Sequence, residues 1–319
     1  MGFHYVNPGF AGLLDVTGGA TVQTSERSRT GYGILQPKDR CGVKLGTVRK
    51  ELYLRFDFYL PTRQETDREL DMDVRYNGYG LNIYCRKNSE SALFYVESCI
   101  PTYGENPRTT TVNKSDLDKL KTECCLFPGK VNAVYMHIKH GSGEAEDGEL
   151  EIWFNGTLYM NRALRCYTWN DSYVVIKSSS EPMLISDIII SDTVFDKRMQ
   201  LVQAPIVGTE SEMTQMGDGS YIATDAGQTL LQYLDTETLA ASYGGGSRVT
   251  GVAVVGNPAY QMESGGGTLT GLQSLNGTMT EYTTQPIQSD AAGVICDYHA
   301  LEGTVDGLSG LAVGWKTGV

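Results

Sequence analysis

The 319 residues carry 26 Lys and Arg against 38 Asp and Glu, a net charge of −12, which excludes the basic stripe that a nucleic-acid binder needs. The length exceeds the usual size of a single core, so two folding units are expected. No apolar run approaches the roughly eighteen residues that span a bilayer, so neither nucleic acid nor membrane is an expected partner.

Residues 52–60, LYLRFDFYL, open the pattern: Leu52, Leu54, Phe56, Phe58 and Leu60 alternate with Tyr53, Arg55, Asp57 and Tyr59. That period of two predicts a strand with one dry and one wet face. Residues 81–85, 92–97, 131–139 and 173–177 behave similarly, and in the third Val134, Met136 and Ile138 are expected in the core, with His137 outside beside Tyr135 and Lys139. Asn77-Gly78, Pro128-Gly129 and Asn170-Asp171 are among the turn breakers between them. Only residues 114–123, KSDLDKLKTE, look helical, with Ser115 as a possible N-cap.

The clearest local signal is GELEIWFNGTLYMN at 148–161. Leu150, Ile152 and Phe154 alternate with Glu149, Glu151 and Trp153, and Asn155-Gly156 supplies the two positive-φ residues of a type I′ hairpin turn. About thirty residues on, PMLISDIIISD at 182–192 alternates imperfectly and reads as a closing strand with one face buried and the other partly so. Many short strands with little helix predict an all-β jelly-roll sandwich.

Near Ala204-Pro205 the texture turns rich in Gly, Thr, Ser and Ala, and Arg248 and Lys316 are the only bases after residue 205. Strands are expected at 220–223, 249–255, 269–272 and 311–315, with a short helix capped by Asp235 or Thr236 and ended by Gly244 to Gly246. The expected division is a sandwich at 1–204 and a smaller acidic β-rich assembly domain with one helix at 205–319. Seven cysteines without a CxxC pair, and an N-terminus without a basic-then-apolar leader, predict reduced thiols, assembly in a cytoplasm and no signal peptide.

The order LYLRFDFYLP, LNIYC, VYMHIKH, ELEIWFNGTLYMN, MLISDIIISD resembles the concanavalin A-like lectin and glucanase superfamily, laminin-G-like domains included. The segment Asp218 to Tyr260 is similar to C-terminal regions of tailed-bacteriophage and prophage structural proteins. Together these imply a virion appendage, a tail fibre or tail tip, carrying a lectin-like module that is not an enzyme. Its expected partners are other virion proteins, copies of itself in a closed homo-oligomer such as a trimer, and a host-surface glycan or protein held by Tyr76, Tyr79, Tyr103, Tyr167 and Trp169. A head-decoration protein without ligand is an alternative.

The resemblance also supplies an enzymatic alternative, a glycoside hydrolase. Glucanases of the superfamily carry Glu-x-Asp-x-Glu on a strand; Glu69 and Asp71 match and Asp73 stands where the acid/base Glu belongs. Retaining chemistry needs its two carboxyls about 5–5.5 Å apart, and the missing methylene at Asp73 works against that. No cofactor is expected, although calcium in a rim loop is possible, with Asp71, Asp73, Asn77, Asn170 and Asp171 as oxygen donors.

Overall fold

The computed structural model describes residues 4–15, 21–24, 26–35, 41–62, 70–76, 79–87, 92–100, 108–114, 125–142, 147–164, 173–177, 181–258, 267–287 and 294–318. The chain divides into two compact units, Met1–Val202 and Gln203–Val319. The fold is all-β, as the periodicity requires.

The first unit contains β1 (His4–Asn7), β2 (Thr21–Thr24), β3 (Tyr32–Leu35), β4 (Cys41–Lys44), β5 (Glu51–Leu60), β6 (Leu70–Tyr76), β7 (Tyr79–Lys87), β8 (Ala92–Ile100) and β9 (Arg108–Lys114). It continues with β10 (Lys130–Lys139), β11 (Gly148–Phe154), β12 (Thr157–Leu164), β13 (Tyr173–Lys177), β14 (Glu181–Pro182) and β15 (Leu184–Ser191). One sheet runs β12-β11-β10-β5-β15-β3-β2, with β1 on β15; the other runs β4-β13-β6-β7-β8-β9, with β14 on β6. The expected helix at 114–123 lies outside the described residues except for Lys114, which ends β9.

The core follows from alternation. Leu52, Leu54, Phe56, Phe58 and Leu60 share one buried cluster with Val134, Met136, Ile138, Leu150, Ile152 and Phe154 from their own sheet. Met72, Val74, Tyr76, Tyr79, Leu81, Ile83, Val174 and Ile176 enter it from the other sheet. In the hairpin, Asn155 and Gly156 adopt φ of 49° and 80°, the mirror-image turn expected of the pair. Asn155 also ties the turn to β10: its amide donates to the Ala133 carbonyl at 2.9 Å and its Oδ1 accepts from Ala133 N at 2.8 Å.

The imperfect alternation of β15 has a structural cause. Its pairing with β5 jumps between Ser186 and Ile189, and Asp187 there takes φ 54°. This bulge adds one residue, so the core phase moves from Ile185 to Ile188 and Ile190. Nearly every β15 residue is buried, so the face expected to be partly buried is almost fully so.

The second unit contains β16 (Ile206–Ser211), β17 (Thr214–Gln215), β18 (Tyr221–Ile222), β19 (Thr229–Leu234), α1 (Thr236–Tyr243), β20 (Arg248–Gly256), β21 (Gly267–Leu275), β22 (Thr278–Ile287), β23 (Ile295–Thr304) and β24 (Ala312–Gly318). The order β16-β19-β24-β21-β22 makes a five-stranded sheet, and β20-β23 and β17-β18 are two-stranded ribbons. Asp235 caps α1 by accepting from Thr238 N at 2.9 Å, and Gly244 closes it with φ 88°. A small core centres on Leu234, Val254, Leu269, Leu308, Leu311, Val313 and Trp315.

Candidate functional site

Several candidate residues fall where they cannot act as expected. Tyr76 and Tyr79 are fully buried because β6 and β7 turn those positions toward the sandwich interior, so neither ring is available to a ligand. Both pack against His140 with ring centroids 5.2 Å away. Burial pushes the His140 imidazole down to about 4, so it is a neutral packing group. Tyr103, Tyr167, Trp169, Asn77, Asn170, Asp171 and Glu69 lie outside the described residues, as does the Asp71 side chain.

Asp73 is only 3% exposed, and its Oδ1 accepts from Arg75 Nε at 2.6 Å. Its burial and this contact keep the Asp73 carboxylate from a substrate's reach, so the Glu69/Asp71/Asp73 pattern loses its third member. The contact also ties up one of the proposed calcium donors. Among the described residues no group of three or more His, Cys, Asp or Glu could hold a metal ion.

The outer face of the β5-β10-β11 sheet is also drier than its pattern implies. Tyr135 is 2% and His137 9% exposed, because the segment after β15 folds back across them. Phe195 packs edge-on to Tyr135 at 5.5 Å, and Lys197 Nζ sits 3.5 Å from the centre of the Trp153 ring. His137 stacks on Tyr53 at 4.6 Å and places Nε2 2.8 Å from Glu51 Oε1, which also accepts from the Tyr53 hydroxyl. The Tyr53 bond, with the His137 and Lys139 charges, holds Glu51 below the usual carboxylate range despite some burial. These rings form a covered layer over the sheet.

Deeper on the same face, the side chains of Arg55 and Asp57 are 2% and 0% exposed, not wet as the alternation suggests. Asp57 binds Arg55 Nη2 at 2.8 Å and Arg29 Nε at 2.6 Å. Asp187, thrown inward by the bulge, is buried beside them, and burial first, then the Asp57 charge, pushes its carboxyl up to about 7. Geometry supports this direction. Thr30 Oγ1 lies 2.6 Å from the Pro8 carbonyl and 3.0 Å from Asp187 Oδ1, and its one proton serves only one acceptor. A proton on Asp187 makes both contacts hydrogen bonds.

A raised folded-state carboxyl contributes stability that is present below the unfolded value and lost as pH rises through the folded one. His140 acts oppositely: its lowered value costs stability as pH falls below the ordinary imidazole range. The two slopes overlap, so the Asp187 contribution shows only by difference. Asp187→Asn, which keeps a side chain tolerant of positive φ, should be more stable relative to the parent at about pH 8 than at about pH 5. Chemical denaturation at both pH values measures this; an equal difference would mean that Asp187 ionises normally.

Among the described residues there is an accessible cleft of about 200 Å³ lined by Arg29, Ala133, Asn155, Gly156, Lys197 and Arg198. It sits at the β11-β12 turn, between the segment before β3 and the segment after β15. Gly156 is required by the turn rather than by space: its φ of 80° favours glycine, whereas a Cβ there would make only ordinary contact, 3.6 Å, with Arg198 Cγ. Reading the sequence strand by strand misses this site, because residues 29, 155–156 and 197–198 meet only in three dimensions.

No family model matches the chain, and no curated protein matches it. Similar solved structures include the endo-β-1,4-glucuronan lyase of the fungus Trichoderma reesei, at 15% identity and TM-score 0.39 over 59% of this chain and 95% of that one. Alginate lyase Aly36B shows 14% identity and TM-score 0.33 over 54% of this chain and 85% of that one. Domain 4 of AbnA, an extracellular arabinanase of Geobacillus stearothermophilus, solved with arabinotriose, shows 8% identity and TM-score 0.33 over 61% and 84%. The presence of polysaccharide lyases among them overturns the expectation of a non-enzymatic protein. At these scores they carry no residue, substrate or reaction over to this chain.

Proposed function

We propose that the first unit is a glycan-binding module whose site is the cleft at the β11-β12 turn. The observation that carries this reading is the lining itself: three donor-bearing side chains, Arg29, Lys197 and Arg198, line one accessible concavity beside the Asn155-Gly156 turn. Sugar hydroxyl and ring oxygens accept such bonds, and a shallow site of this size gives weak individual affinity. Display in several copies compensates, since linked sites gain about 10²- to 10⁴-fold in avidity without new contacts.

We further propose a place for the chain in a virion appendage, assembled with other virion proteins and with copies of itself; this rests on the sequence resemblance of residues 218–260 alone. A host-surface glycan is then the natural ligand. Titrating the full chain with a panel of neutral and acidic oligosaccharides, followed by amide NMR shifts, tests the binding. Saturable shifts at Asn155 and Gly156 are expected; silence across the panel, or shifts confined to other surfaces, overturns the assignment. The same samples assayed for new chain ends report whether binding leads to cleavage.

A further inference from the structure

We infer that this cleft selects an acidic sugar, binding the carboxylate of a uronate residue in preference to a neutral ring; the inference rests on the glycan-binding reading. Every charged side chain in the lining is a cation, in a chain of net charge −12. The three cations come from separated segments, residue 29 and residues 197–198, and converge on a turn that is itself pinned to β10.

Each is oriented by a carboxylate outside the lining. Arg29 is gripped through Nε by Asp57, whose side chain is 0% exposed, so that acid is out of a ligand's reach. The two terminal nitrogens of Arg29 make no hydrogen bond among the described residues. Lys197 is seated between the Trp153 ring and Glu151, whose Oε2 is 3.5 Å away. Arg198 is held by Asp196 through Nε and Nη2, with its stem alongside Gly156.

These holdings fix three cationic side chains around one cleft and limit the entropy lost when a ligand arrives. The guanidinium fork matches the two oxygens of a carboxylate, which a neutral hydroxyl does not. A volume of about 200 Å³ is below the roughly 300–1,000 Å³ of sites for drug-sized ligands, so one ring fits rather than a longer stretch. The cleft is open, so the attraction is subject to screening by salt.

The test titrates the full chain with a glucuronic acid tetrasaccharide and with the glucose tetrasaccharide of the same linkage at low ionic strength. The acidic ligand should bind about tenfold tighter, the scale of one charge-assisted contact, and added salt should shrink that margin. Arg198 is 82% exposed, so Arg198→Gln should keep the parental melting temperature while losing much of the preference, and Lys197→Gln/Arg198→Gln should abolish it. Equal affinity for both sugars removes this inference and leaves the glycan-binding reading intact. A preference that survives in the folded double variant also overturns it. Binding of neither sugar removes both.

Discussion

Asp57→Ala lowers the stability of the first unit by about 3–5 kcal/mol, because it strips the partner from a buried guanidinium. Arg55 is as inaccessible as a core leucine, and its Nε and Nη1 already lack hydrogen bonds among the described residues. Asp57 is the carboxylate that both Arg55 and Arg29 contact. Asp187 offers partial compensation: with the Asp57 charge gone, one of the two influences that hold its carboxyl protonated disappears. It can then ionise beside Arg55, so the loss should be smaller at high pH than at low pH. Urea denaturation of the parent and variant measures both effects. A loss under about 1 kcal/mol, the level of an exposed ion pair, would show that the cluster is solvated.

Phe154→Ala should cost about 3–5 kcal/mol, the usual range for removing a buried aromatic ring. Phe154 is fully buried at the end of β11, opposite Val134 and 5.0 Å from the Tyr159 ring. It is also the residue before the Asn155-Gly156 turn, so its removal loosens one wall of the cleft while unpacking the core. Leu158, on the return strand, is 45% exposed, and Leu158→Ala should stay within about 0.5 kcal/mol. Thermal melting of the pair distinguishes the sites; similar losses in both would mean that the hairpin is not anchored through Phe154.

The sandwich was legible because its strands obey a two-residue period and its main turn contains Asn-Gly. β5, β10 and β11 place their alternate apolar residues in the core as their patterns require, and the Asp235 cap and Gly244 stop of α1 were equally readable. The outer faces were not. Alternation assigns Arg55, Asp57, Tyr135 and His137 to the side away from the core, but whether that side meets water depends on what later chain covers it. Tyr76 and Tyr79 failed for the reverse reason: tyrosine suits a wet strand face and a core equally well, and only the register decided. In the second unit, β19 lay inside a stretch read mainly for its helix. The cleft had no linear signal, since its cations belong to segments that carry no motif.

The return of residues 193–199 across the first sheet also decides where this unit can be cut. A chain ending with β15 at Ser191 would include every strand of the sandwich yet lose Phe195 and Lys197. Tyr53, Tyr135 and Trp153 would then present a contiguous aromatic surface, the kind that drives self-association. The functional end of the unit is therefore at least a strap's length past its last strand, and a shortened protein that stopped at the strand would be expected to aggregate while its fold remained intact.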